Sequence, residues 1–393
     1  MPNFPAIVLH NKKAEAVKRF HPWIFSGAIK QKPADLQDGD VVDVVSVTGD
    51  YLATGHYAPG NIAVKIFSFA PVESLDALFL QKVQAAYALR SHLGLAHSPT
   101  TNCYRLINAE GDGLPGLIVD WYNGHAVIQA YSAGMYAQRS RLVQCLQAVY
   151  GDRLLSVYDK SDTVLAQSEP NTAFLVGDAP GTEVLEHGQR FWVNWQEGQK
   201  TGFFIDQREH RQLLARYAPG QRVLNTFCYS GGFSVYAAHA GASLVHSVDS
   251  SAKAIAWTEQ NFALNGLEAV PHTAIAADVF TYLKQVSPAD YDIIVLDPPA
   301  FAKNISARHQ AVMAYKRLNY FAIAKVRSPG LIFTFSCSQV VTPDLFKGAV
   351  VAGAIEAGRT VRILHHLTQP ADHPISIYHP EGLYLKGLVL AVE

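Results

Sequence analysis

The chain has 393 residues and a formal net charge of −1, with 49% apolar and 17% charged residues. That length predicts two or three domains, and the composition suits soluble domains with sizeable cores and argues against a disordered chain. No apolar run is long and pure enough to span a bilayer, the opening Met1-Pro-Asn-Phe-Pro5 does not read as a signal sequence, and no membrane partner is expected. The cysteines Cys103, Cys145, Cys228 and Cys337 are scattered without a CxxC pair, which argues against a disulfide framework or zinc site and for a reducing cytoplasm.

Residues 1–72 read as short β segments punctuated by Gly39-Asp40, Gly49-Asp50 and Pro59-Gly60, a small barrel-like module. Expected strands are Ala6–Leu9, Val41–Val47, Tyr51–Tyr57 and Ile62–Phe67. Its first part carries Lys12, Lys13, Lys18, Arg19, Lys30 and Lys32 against the single acid Glu15, a basic patch suited to local contact with phosphates. Residues 73–190 open with a helical pattern over Leu75–Leu93 and continue as strands, a helix near Met135–Val149 and strands again, a small α+β domain. Gly111, Gly113 and Gly116 precede no helix and make no phosphate cradle.

From residue 191 to 393 strands and helices alternate, the pattern of a doubly wound, mostly parallel α/β sheet. The expected strands are Arg222–Thr226, Leu244–Asp249, His272–Ala276, Asp292–Asp297, Leu331–Ser336, Val361–Leu364 and Leu385–Ala391, with helices such as Ala252–Leu264 and Gln310–Val326 between them. Such a sheet binds its ligand at the carboxyl ends of its strands. Phe227-Cys-Tyr-Ser-Gly-Gly-Phe233 follows the first, a glycine turn that brings backbone close to a ligand but lacks the GxGxxG of a dinucleotide site. Asp249 ends the second strand, where an acid accepts from ribose hydroxyls, and Asp278 follows the third. Either acid alone is equally a helix N-cap. Three such positions in register point to an adenosyl ligand.

The fourth strand ends in Asp297-Pro-Pro-Ala-Phe301, an acid followed by carbonyls that no helix bonds, an edge suited to an exocyclic amino group, with Phe301 able to stack on a flipped base. The fifth ends in Phe335-Ser-Cys-Ser338. As neighbours, these strands would set Asp297 and Cys337 in one crevice. A thiolate adding to C6 of cytosine makes C5 nucleophilic, and Cys combines high nucleophilicity with easy departure. A protonated or hydrogen-bonding Asp297 would stabilise the adduct at the N3/N4 edge.

These motifs, with Glu197-Gly-Gln-Lys-Thr-Gly-Phe-Phe-Ile-Asp-Gln-Arg208, Asp372-His-Pro374 and Pro380-Glu-Gly-Leu-Tyr-Leu-Lys-Gly387, resemble the bacterial methyltransferases that make 5-methylcytosine in large-subunit ribosomal RNA. The N-terminal module resembles a PUA domain, and the resemblance covers the whole chain. It implies S-adenosylmethionine as cofactor, ribosomal RNA as partner and Cys337 as nucleophile. No Cys follows Asp297, unlike in the two-cysteine RNA cytosine methyltransferases, so Cys337 must be released without a second thiol. Candidate donor-site residues are Phe227, Tyr229, Ser230, Gly231, Asp249, Ser250, Asp278, Val279 and Asp297; Pro298, Pro299, Phe301, Lys12 and Lys13 are candidate RNA contacts.

Asp206 and Glu209 read as a capping box, and His365, His366, His373 and His379 straddle a strand and a loop, so no metal is expected. A homodimer is compatible with the reading, which fixes no oligomeric state. Two rivals remain open: a base-nitrogen methyltransferase of the same fold, with Cys337 as packing, and a non-catalytic RNA-binding assembly factor.

Overall fold

Ile293-Ile-Val-Leu296 is an unbroken apolar run with every residue buried, as a strand covered on both faces requires. In the computed structural model, which describes residues 3–161 and 173–393, it lies at the middle of a seven-stranded sheet. We number the strands of this sheet β1 (Arg222–Thr226), β2 (Leu244–Asp249), β3 (His272–Ala276), β4 (Ile293–Leu296), β5 (Gly330–Ser336), β6 (Val361–Leu367) and β7 (Lys386–Val392). Their order is β3-β2-β1-β4-β5-β7-β6. The first five strands run parallel to their neighbours, whereas β7 is antiparallel to both β5 and β6. The chain builds outward from β1 to β3, then returns to the other side of β1 with β4. That reversal opens a crevice at the strand ends between β1 and β4.

The helices are α1 (Arg208–Tyr217), α2 (Gly232–His239), α3 (Ala252–Leu264), α4 (Val279–Gln285), α5 (Arg308–Lys325) and α6 (Pro343–Ala357). Local chemistry sets their ends. Ser251, Asp278 and Thr342 each accept a backbone N–H as N-cap, and α6 takes Pro343 in its first turn and ends on Gly358 in a left-handed conformation. Leu224, Val248, Ile294, Leu296, Ile332 and Leu390 of the sheet pack with Leu283, Tyr315, Leu318 and Phe346 of the helices in one core. The α/β doubly wound architecture expected from the sequence is present.

The chain divides into two units, one comprising 1–184, 193–205 and 371–382, the other 185–192, 206–370 and 383–393. The first unit holds a six-stranded sheet within residues 6–68 and a five-stranded sheet within 103–176. Two strands of the former, Trp23–Phe25 and Ile29–Gln31, were not expected, being too short to show a period. The helix expected near Met135–Val149 is two helices, Ala133–Ala137 and Arg139–Tyr150.

The segment carrying Asp372-His-Pro374 belongs to the first unit, although in linear order it falls late in the chain. Its anchor is Arg90, fully buried, whose guanidinium bonds both oxygens of Asp112 at 2.5 and 2.8 Å and the carbonyl of Asp372 at 2.7 Å. Asp372 also accepts from the Arg105 amide at 3.0 Å. Gly111 permits the approach, since a Cβ there would lie 1.9 Å from the Pro374 carbonyl oxygen. Replacing one partner of a buried ion pair strands the other charge and costs about 3–5 kcal/mol. Arg90→Met is therefore expected to lower the urea midpoint of the intact protein by an amount equivalent to about 3–5 kcal/mol. A midpoint within the scatter of wild type would show that the pair contributes nothing.

Candidate active site

At the end of β1 the chain turns through three left-handed residues, Phe227 (φ 54°), Tyr229 (φ 49°) and Gly231 (φ 79°). A Cβ on Gly231 would meet Thr258 at 2.6 Å, so only glycine fits there. Helix α3 holds this turn from behind: Thr258 donates to the Tyr229 carbonyl at 2.9 Å and Asn261 to the Ser230 carbonyl at 2.8 Å. Strained residues held by surrounding structure mark functional turns.

Asp249 ends β2 and accepts from the Tyr229 amide at 3.0 Å and the Ser251 amide at 2.9 Å. It links the glycine turn to the start of α3, while Ser251 does the capping. Asp278 is the cap of α4, taking the Thr281 amide and hydroxyl, both at 2.8 Å, on one oxygen. The Thr281 hydroxyl pulls its carboxyl below the usual range. Val279 points into the core, so only its backbone can reach a ligand; Ser250 is exposed.

Beyond the switch point, β4 and β5 are hydrogen-bonded neighbours, and their ends meet. Cys337 Sγ lies 3.9 Å from the Pro298 carbonyl oxygen, the acceptor that the following Pro299 leaves free of any helix. Pro298 is buried and Pro299 exposed. Phe301 packs on Tyr315, with ring centroids 4.7 Å apart. Asp297 Oδ1 accepts from Gln207 Nε2 at 2.9 Å, and Gln207 is fixed in turn by His210 at 2.6 Å. Burial, with Asp206 nearby, pushes the Asp297 carboxyl up to about 7 against the opposing pull of Arg211 and Gln207. Burial pushes His210 down to about 4, so its imidazole is neutral near pH 7.

Sequence reasoning missed Gln207 and Lys386, whose motifs were visible but whose partners Asp297 and Ser338 lie 90 and 48 residues away, and with them His210, which holds Gln207. The expected Asp206–Glu209 capping box does not form. The N-cap of α1 is Gln207, which makes no cap hydrogen bond with its side chain. Asp206 instead accepts from the Tyr384 hydroxyl at 2.7 Å, and Glu209 from Arg208 at 3.0 Å. The four histidines also divide, His365 and His366 lying on β6 and His373 and His379 in the first unit. Among the described residues no group of three or more His, Cys, Asp or Glu side chains could hold a metal ion. Lys12 and Lys13 are exposed on a short helical turn, Asn11–Lys13.

Residues 114–374 match the S-adenosylmethionine-dependent methyltransferase family, and residues 7–69 match a PUA-like domain. The chain is 38% identical over 395 residues to the Ribosomal RNA large subunit methyltransferase I of Escherichia coli, covering 98% of this chain and 99% of that protein. A SAM-dependent methyltransferase from Streptococcus mutans has a similar structure, with a TM-score of 0.83 and 26% identity over 98% of this chain and 100% of that one. A second methyltransferase structure, complexed with SAH, matches with a TM-score of 0.84 and 26% identity over the same shares.

The two cysteines of this unit differ in kind. Burial, then Asp249, pushes the Cys228 thiol up to about 12, whereas Cys337 is partly exposed. Iodoacetamide at neutral pH is expected to label Cys337 first, with Cys103, Cys145 and Cys228 labelled only after denaturation, as read by peptide mass spectrometry. Labelling of Cys228 in the folded protein at a comparable rate would contradict this assignment.

Proposed function

The chain belongs to the S-adenosylmethionine-dependent methyltransferase family, and from that premise we propose that it methylates C5 of a cytosine in large-subunit ribosomal RNA, with Cys337 as nucleophile. The observation that carries this reading is the pairing of β4 with β5, which sets Cys337 Sγ 3.9 Å from the Pro298 oxygen, one residue after an Asp297 carboxyl pushed up to about 7. Ribosomal RNA is supported by the name of the Escherichia coli relative, and by a PUA-like module carrying the exposed Lys12 and Lys13.

The residues fit the donor. The turn Phe227–Gly231 offers backbone with no room for a Cβ at Gly231, and Asp249 stands at the neighbouring strand end as the ribose acceptor. Ser250, Asp278 and the backbone of Val279 are its proposed adenine side. When bound, S-adenosylmethionine supplies an electrophilic methyl group on a sulfonium.

The chain's own residues would act as follows. The Cys337 thiolate adds to C6 of the cytosine, forming an S–C6 bond. Asp297 donates its proton to N3 as the ring's electron pair moves toward C5, which takes the methyl group. N3 returns its proton to the Asp297 carboxylate, and a water molecule takes the C5 proton, whose bonding pair re-forms the C5–C6 double bond and expels the thiolate. Asp297 Oδ1 is held by Gln207, leaving Oδ2 for the base. Pro298 and Pro299 supply carbonyls for the exocyclic amine, and Phe301 lines the base site.

RNA containing 5-fluorocytidine at the target should trap the enzyme, because fluorine does not leave as a proton does. The adduct should survive a denaturing gel and be absent in Cys337→Ala, which should lose activity by at least a thousandfold. A Cys337→Ala protein with most of its turnover would favour the nitrogen-methylating alternative.

A raised carboxyl pKa keeps the proton up to that pH, so kcat/KM should fall as pH rises through about 7 where Asp297 must be protonated. Asp297→Asn should be slower and lack this alkaline limb, and an unaltered limb would remove Asp297 from the role. Asp249→Ala should weaken S-adenosylmethionine binding by at least tenfold in calorimetry with the fold intact; unchanged affinity would take Asp249 out of the donor site.

A further inference from the structure

Lys386 opens β7, in register opposite Ser336 of β5, and is almost fully buried at 6% exposure. Its ammonium donates to the Ser338 carbonyl at 2.7 Å, the residue directly after Cys337. Among the described residues it has no carboxylate partner. A buried lysine without an acid is costly, because burial favours the neutral amine. The bland explanation is a tie between strands, yet a neutral side chain or a backbone amide would serve as well there. The charge needs an anion, and the group placed to become one is the Cys337 thiol.

We propose that Lys386 is a positioning residue for Cys337: its buried ammonium, pinned to the Ser338 carbonyl, holds the neighbouring thiol in its thiolate form. The step is one of proton balance, the thiol proton leaving to solvent while the ammonium remains charged. This inference rests on the reading of Cys337 as the nucleophile, and gives that nucleophile its activating group. A nearby cation is a general means of activating a cysteine.

Two further observations agree. Burial pushes Lys386 down to about 8, and the negative charge on Cys337 opposes that shift, so the two groups favour each other's charged forms. Among the described residues at these strand ends, Asp297, Tyr315 and His210 do not supply a cation. Asp297 at the β4 end is an acid held up to about 7, and Tyr315 of α5, bonded to the Ser338 hydroxyl at 3.3 Å, is raised above its ordinary value by burial. His210, stacked on Phe335 of β5 with centroids 5.2 Å apart, is pushed down to about 4 and so uncharged. The sign follows: the ammonium supports the thiolate below about pH 8 and ceases to do so as Lys386 loses its proton.

The test is the pH dependence of Cys337 alkylation by iodoacetamide, followed by peptide mass spectrometry on the intact protein without RNA or S-adenosylmethionine. Wild type should show a rate midpoint at least one pH unit below an ordinary thiol near 8.5, and Lys386→Met should move it up by one unit or more. An unchanged midpoint in a folded Lys386→Met protein would overturn the proposal. Should that variant fail to fold, wild type alone decides, because a midpoint at or above the ordinary value contradicts an activating ammonium. Alkylation needs no turnover, so the Lys386–Cys337 interaction is read separately from whether Cys337 attacks cytosine, which the fluorocytidine adduct reports.

Discussion

The proposed carbon methylation asks two groups at adjacent strand ends to hold opposite protonation states at one pH. On the proposed mechanism the Cys337 thiol must have lost its proton while the Asp297 carboxyl keeps one. In water the order is reversed, with aspartic acid titrating near 3.9 and cysteine near 8.5. The strand ends of this protein are arranged to narrow that gap. Burial and Asp206 push Asp297 up to about 7. A buried ammonium, Lys386, stands behind the residue that follows Cys337. Neither effect would exist in an exposed loop, because water would screen both.

The rest of the unit supplies the parts that this proposal uses. The parallel β4–β5 pairing brings Cys337 and the Asp297-Pro298-Pro299 corner to the same edge, and antiparallel β7 delivers Lys386 to it from the other side. The prolines leave a carbonyl available within 3.9 Å of the sulfur. Gln207 and His210 fix Asp297 from α1 and the turn before it, so its carboxyl is not free to rotate away. On the other side of β1 the same sheet supports the glycine turn, braced by Thr258, Asn261 and Asp249. Cys337 and the glycine turn thus flank one switch point.

Much of this was legible in the sequence because it is local. Alternating apolar segments gave the doubly wound sheet, and chemistry-bearing residues recur just after strands, where such a sheet binds ligands. What was not legible depends on pairing across long separations. Nothing in the run Leu385–Ala391 says that β7 inserts between β5 and β6, so the placement of Lys386 beside Cys337 was invisible. The same holds for Gln207, whose partner Asp297 lies 90 residues away. Asp206 and Glu209 carried a capping-box spacing, but the distant Tyr384 took Asp206 and the adjacent Arg208 took Glu209 instead. Asp278 shows the converse, a local cap that formed as its spacing suggested.

The nitrogen-methylating alternative keeps Asp297 and its prolines but has no use for a thiolate or for the lysine behind it. The most direct discrimination is therefore the chemical identity of the product. Large-subunit ribosomal RNA lacking the modification should be incubated with the enzyme and S-adenosylmethionine, digested to nucleosides and separated by liquid chromatography with mass detection. This account predicts that the new methyl group appears as 5-methylcytidine. Its appearance as N4-methylcytidine, or on any other base nitrogen, would contradict it.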